Sequence, residues 1–272
     1  MKKPFERGIY LLPNLMTTAA LFAGFYAVIA GMQGYYEQGA IAIFIAMVFD
    51  GLDGRVARMT NSSSAFGAEY DSLADMVSFG LAPALLVYQW ALQDFGKLGW
   101  LAAFIYTAGA ALRLARFNTQ VGIADKRYFQ GLPSPAAAAL LAGLIWMVEN
   151  DGLQNDLLPI LTLVLTIFAG LMMVSNIRFS SFKELNIKNK VSFVTLILGV
   201  LVLVVISIKP ALILFTILFL YALSGPVVTL TSLRKTRELR RQHREQSEHN
   251  ANSAEAAMDE DTTAEDNKKS DS

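Results

Sequence analysis

The chain has 272 residues, of which 54% are hydrophobic and only 17% charged, against about 25% charged in an average soluble domain. Acidic and basic residues balance at 23 each, and no basic motif points to nucleic acid. There is no cysteine, and both histidines, His243 and His249, lie near the C-terminus. Disulfides, thiol chemistry, zinc–thiolate sites and imidazole catalysis in the apolar body are therefore excluded.

A membrane helix needs about 20 mostly apolar residues. Eight segments meet that need: 10–32, 38–58, 68–92, 98–118, 134–150, 157–177, 191–208 and 210–231. Polar or turn residues mark the breaks, among them Gln33-Gly34, Asp94 to Gly99, Gln130 to Pro133 and Lys209-Pro210. The first segment is too long for a signal peptide and leads to no cleavage site, so it reads as a retained span. Neither an internal repeat nor barrel-like alternation is present. The expected fold is an all-α polytopic membrane protein with eight spans.

Lysine and arginine set the expected orientation. Lys2, Lys3 and Arg7 precede span one; Arg55 and Arg58 follow span two; Arg113, Arg116, Lys126 and Arg127 follow span four. Arg178, Lys183, Lys188 and Lys190 follow span six, and a basic run begins at Arg234. Apart from Lys97 and Lys209, every basic residue falls on one side, an alternation that seven or nine spans would break. That side is expected to be cytoplasmic and to hold both termini. Residues 1–231 form the expected membrane domain, and 232–272 a charged, largely disordered cytoplasmic tail.

Four aspartates stand in the most informative stretch. Asp50 and Asp53 are three apart, and Asp71 and Asp75 four apart, so each pair shares a helix face. The short 59–66 loop predicts antiparallel neighbouring helices, whose carboxylates meet near the cytoplasmic mouth. An aspartate at a span centre costs about 2.5–3.5 kcal/mol on insertion scales, so something must offset four of them. All-oxygen ligation suits Mg²⁺ or Mn²⁺, and two such ions suit phosphoryl transfer. Two plainer readings stand beside this one: buried ion pairs with Arg55 and Arg58, and a proton or cation pathway.

The full pattern is Asp50-x-x-Asp53-Gly54-x-x-Ala57-Arg58, then Gly67-x-x-x-Asp71-x-x-x-Asp75. It resembles the signature of the CDP-alcohol phosphatidyltransferases at every position. Pro13-Asn14 with Thr17, the run Ala111 to Asn118, and Gly131-Leu-Pro-Ser-Pro-Ala136 are similar to the integral-membrane, serine-transferring branch of that family. The resemblance covers roughly residues 8–225. It implies transfer of the phosphatidyl group of CDP-diacylglycerol to the hydroxyl of L-serine, with release of CMP, in a homodimer facing membrane lipid at the inner membrane. It also implies two divalent cations, Mn²⁺ or Mg²⁺, bridged by Asp50 and Asp71. Asp53 would complete one ion, and Asp75 would serve as ligand and general base. Gly54, Ala57, Arg58, Ser64 and Gly67 would line the CDP moiety, with Asn14 and Thr17 at the nucleotide pocket. Arg113, Arg116 and Asn118 are candidates for the acceptor serine, with Arg178 and Lys183 as second choices; both sets also read as positive-inside flanks. Other acceptors (glycerol 3-phosphate, an inositol phosphate, choline) or a cation-coupled transporter remain as alternatives.

Overall fold

The computed structural model describes residues 11–60, 62, 64–120, 128–153, 155–180, 201, 204 and 207–229. Most of the expected seventh span, and all of 232–272, lie outside them. The contacts described below belong to the compact unit Met1–Gly225.

The chain begins with helix α1 (Leu11–Met32), and Gly34, at φ 78°, turns it into α2 (Tyr36–Met59). Thr60 ends α2 with its hydroxyl on the Val56 carbonyl, 2.7 Å away. Ser64 opens α3 (Ala65–Asp75) as an N-cap, its Oγ accepting from the Gly67 amide at 3.0 Å. The helical run then continues to Phe95, through a π-helical segment (Met76–Leu81), α4 (Ala82–Val87), a second π segment (Tyr88–Leu92) and a 3₁₀ turn. After Gly96 come α5 (Lys97–Gln120), strand β1 (Tyr128–Gln130), α6 (Ser134–Asp151), α7 (Leu158–Val174), strand β2 (Arg178–Ser180) and α8 (Pro210–Thr229).

The first six expected spans thus correspond to helical segments, with ends shifted by a few residues. Four of the helical runs (Leu12–Met32, Ala65–Phe95, Lys97–Thr119 and Pro210–Thr229) are long and apolar enough to cross a membrane, and Leu158–Val174 is a shorter apolar helix. Phe22, Phe25, Val48, Phe104, Leu161, Val164 and Leu220 are large, apolar and more than half exposed. So much outward apolar surface fits lipid rather than water as the surrounding solvent.

Two features of the third helical run were not legible as span boundaries. Pro83 has no N–H to give the carbonyl of Phe79, four residues earlier. The ladder there widens to five-residue bonds, with the Ala82 amide on the Val77 carbonyl, and the Tyr106 hydroxyl of α5 donates to the freed Phe79 carbonyl at 3.0 Å. Tyr106 is fully buried, so this bond lies inside the core.

Small residues let the helices approach closely. A Cβ on Gly109 of α5 would lie 2.5 Å from the Gly170 carbonyl oxygen of α7, and a Cβ on Gly170 would lie 2.8 Å from the Tyr106 Cα. These are backbone contacts, which cannot swing aside. Gly109→Ala is expected to cost about 1–3 kcal/mol by overpacking. Gly51→Ala, in open space, is expected to leave stability unchanged or higher. Thermal unfolding of the two variants in detergent checks the contrast.

β1 and β2 pair antiparallel, with Phe129 opposite Phe179. Just beyond β1, the Gly131 amide bonds to the Ile177 carbonyl and the Leu132 amide to that of Met172, both at 2.9 Å. Gly131 has φ 79°, and a Cβ there would strike the Met173 carbonyl, so this crossing needs glycine. The start of α6 is thereby fixed against the end of α7.

Candidate active site

Asp50 and Asp53 project from the C-terminal part of α2, and Asp71 and Asp75 from α3. One carboxylate oxygen from each of Asp50, Asp53 and Asp71 can be chosen so that all three lie within 4.8 Å of one another. Across the two helices Asp53 is in hydrogen-bonding reach of Asp71, and Asp50 of Asp75. The spacings of three and four thus form a ladder of opposed carboxylates.

The two helices are not packed side by side as the loop length suggested. α1 runs along α2 and also packs on α3, while α2 and α3 make little direct backbone contact. They face each other chiefly through the carboxylates. Repulsion between like charges favours this separation.

α1 supplies the floor. Thr17 is buried, and its hydroxyl donates to Asp53 Oδ2 at 2.7 Å, with the Pro13 carbonyl next nearest at 3.1 Å. Asp53 itself is only 6% exposed. A Cβ on Gly67 would lie 3.2 Å from Ser64 Oγ and 3.4 Å from Asn14 Oδ1, so Asn14, Ser64 and Gly67 share one corner. The Thr18 and Tyr70 hydroxyls lie 2.9 Å apart and tie α1 to α3 again. The Arg58 guanidinium folds back over Gly54, 3.5 Å from where a Cβ would stand. Ala57, half-buried, sits one residue before it on the same turn.

Among the described residues none of the four aspartates makes an ion pair, which removes the reading of simple pairs with Arg55 and Arg58. Carboxylates this close need a proton or a cation between them. Three hard oxygen donors from two directions, at least half enclosed, fit a divalent cation such as Mg²⁺ or Mn²⁺.

Asp75 lies beside Asp50 and Asp71 and faces Arg113 of α5. Arg113 Nη1 donates to the buried Ser134 Oγ at 2.6 Å, and the guanidinium also neighbours Tyr106 and Tyr221. Asn118 joins α5 to α3 through Ser72, its amide nitrogen 3.0 Å from that hydroxyl. Arg116 turns elsewhere, donating to Asn176 Oδ1 at 3.2 Å. Of the three acceptor candidates, Arg113 and Asn118 thus meet the aspartate helix and Arg116 does not. The Arg178 side chain and Lys183 lie outside the described residues. Ser134, Ser72, Tyr106 and Tyr221 had no expected role. Ser134 alone carried a signal, as the serine of the Gly131–Ala136 motif.

An apolar groove of about 770 Å³ runs between α1 and α2, lined by Leu15, Ala19, Phe22, Ile41, Ile45 and Phe49 among others. Leu15 and Phe49, at one end, are the chain neighbours of Asn14 and Asp50. At the other the Tyr26 hydroxyl donates to Gln38 Oε1 at 3.1 Å.

The profile of the family described as CDP-alcohol phosphatidyltransferase matches residues 10–177, more than half of the chain. The chain belongs to the CDP-alcohol phosphatidyltransferases. A Helicobacter pylori protein named CDP-diacylglycerol–serine O-phosphatidyltransferase is 36% identical over 196 residues, which are 72% of this chain and 83% of that protein. Proteins of the same name from Methanocaldococcus jannaschii and Saccharomyces cerevisiae are each 40% identical, over 156 and 152 residues. The first match covers 57% of this chain and 70% of the relative, and the second 51% and 54%.

Proposed function

We propose that this protein transfers the phosphatidyl group of CDP-diacylglycerol to the hydroxyl of L-serine, forming phosphatidylserine and releasing CMP. The observation that carries the reading is the convergence of four aspartates from α2 and α3, none of which makes an ion pair among the described residues. The names of the relatives support serine as the acceptor.

In this reading Asp50, Asp53 and Asp71, with Asp75, would hold two divalent cations, Mn²⁺ or Mg²⁺. When bound, such ions neutralise the pyrophosphate and stabilise the departing CMP. Asp75 takes the proton from the serine hydroxyl as its oxygen attacks the phosphatidyl phosphorus. The phosphorus–oxygen bond to CMP breaks, and the electron pair leaves with CMP. Thr17 holds the Asp53 carboxylate in place. Arg58, free of any ion pair among the described residues, meets the phosphates with its fork of donors. Gly54, Ala57, Ser64, Gly67 and Asn14 border the nucleotide. Eight spans, both termini in the cytoplasm and a site opening to the cytoplasmic side of the inner membrane complete the reading, together with a homodimer and a separate tail over 232–272.

The test is to incubate the purified protein with CDP-dioleoylglycerol, Mn²⁺ and a panel of labelled alcohols. CMP release with serine is expected. Release with glycerol 3-phosphate but not serine would reassign the acceptor, and no release with any alcohol would favour cation-coupled transport.

The groove between α1 and α2 suits an acyl chain of the lipid substrate, because it is apolar and its lining includes Leu15 and Phe49, the chain neighbours of Asn14 and Asp50. Ala19→Trp is expected to raise the KM for CDP-dioleoylglycerol about tenfold, the effect of withholding roughly two methylenes from burial. The KM for a dihexanoyl analogue should move little. Equal effects on both would place the acyl chain elsewhere.

A further inference from the structure

We propose that Ser134 is a positioning residue that aims Arg113 at Asp75. The proposal rests on the reading of Asp75 as the base.

Three observations carry it. Ser134 is fully buried and takes a short, charge-assisted hydrogen bond from Arg113 Nη1 at 2.6 Å. Ser134 is itself immobilised: Pro133 and Pro135 flank it, and the Gly131 and Leu132 amides pin the chain just before it to α7 and the segment beyond. Arg113, in turn, lies two helical turns after Tyr106, whose hydroxyl grips the Phe79 carbonyl one turn beyond Asp75. α5 therefore holds the α3 run at two points, Phe79 through Tyr106 and Ser72 through Asn118, and these bracket Arg113 on the one helix and Asp75 on the other.

A free arginine side chain samples many rotamers. Tied at one nitrogen to a fixed hydroxyl, the guanidinium presents its remaining donors in one direction, toward Asp75. Arg113 is then committed to the base and serves every acceptor alike. This differs from the sequence-based expectation, in which Arg113 clamps the carboxylate of serine.

The two roles give opposite kinetics. For Ser134→Ala, kcat is expected to fall about 10- to 100-fold, the usual effect of losing a supporting partner behind a reactive group. The KM for serine should stay within about twofold, and any hydrolysis of CDP-diacylglycerol by water in the absence of serine should fall in parallel. Ser134→Thr, which keeps the hydroxyl, should recover much of the rate. CDP-diacylglycerol affinity, measured by titration calorimetry, should not change. Arg113→Lys keeps the charge but cannot bridge Ser134 and Asp75, so it should reproduce the Ser134→Ala pattern, and it stands in should Ser134→Ala fail to fold. A raised KM for serine with kcat and water hydrolysis preserved would overturn the proposal in favour of the carboxylate clamp. Failure of the underlying reading looks different: the unaltered protein would then release no CMP with serine.

Discussion

Asp75→Asn is expected to lower the rate of CMP formation about 10²–10⁴-fold, the usual cost of losing a general base. CDP-diacylglycerol affinity should stay within a few-fold. The amide keeps the shape of the carboxyl but accepts no proton. Asp75 reaches Asp50 but is not one of the three mutually close carboxylates, Asp50, Asp53 and Asp71, and it faces Arg113. Gly54, Arg58 and Asn14, proposed to border the nucleotide, lie on α1 and α2, away from the substituted residue. Turnover and calorimetric affinity, measured on variants matched for thermal stability in detergent, decide the matter. Near-normal turnover would remove Asp75 as the base, and lost lipid binding would make it a binding ligand only.

The parts of this site that were legible in the sequence are those that helix geometry fixes locally. Spacings of three and four place Asp50 with Asp53 and Asp71 with Asp75 whatever the rest of the chain does. The polar breaks marked the ends of the first six spans because apolar length is a one-dimensional property. What escaped depends on three-dimensional neighbours. The 59–66 loop says that α2 and α3 run antiparallel, but not that α1 packs on both and leaves a gap between them. Arg113 and Arg116 share a helix face, yet each long side chain goes to the partner the fold offers, Ser134 and Asn176. The π-helical turn after Asp75 did have a local cause in Pro83. Its consequence, a carbonyl served by Tyr106 from another helix, had no local trace. The pairing of β1 with β2 involves three residues on each side, too few for any periodicity to register.

Asp50→Asn should be severely damaging, and metal should not repair it. Asp50 touches both halves of the site: it belongs to the three-carboxylate cluster and also reaches Asp75. Losing its charge weakens every position a cation could take there. Metal assistance supplies several kcal/mol of transition-state stabilisation, so a loss of about three orders of magnitude in CMP-forming rate is expected. Asp71→Asn should behave alike, because Asp71 stands among Asp50, Asp53 and Asp75. Asp53→Asn should differ. Asp53 meets Asp71 and Thr17, on the side away from Asp75, and the Thr17 hydroxyl can hold the amide oxygen where the carboxylate oxygen was. That variant should bind Mn²⁺ more weakly yet regain part of its rate as Mn²⁺ is raised. Rate against Mn²⁺ concentration for the three variants separates the cases. A common, unrecoverable loss would mean that the aspartates act as one indivisible cluster. Recovery of Asp50→Asn by Mn²⁺ would show that Asp50 serves only one ion, and the bridge would then rest on Asp71.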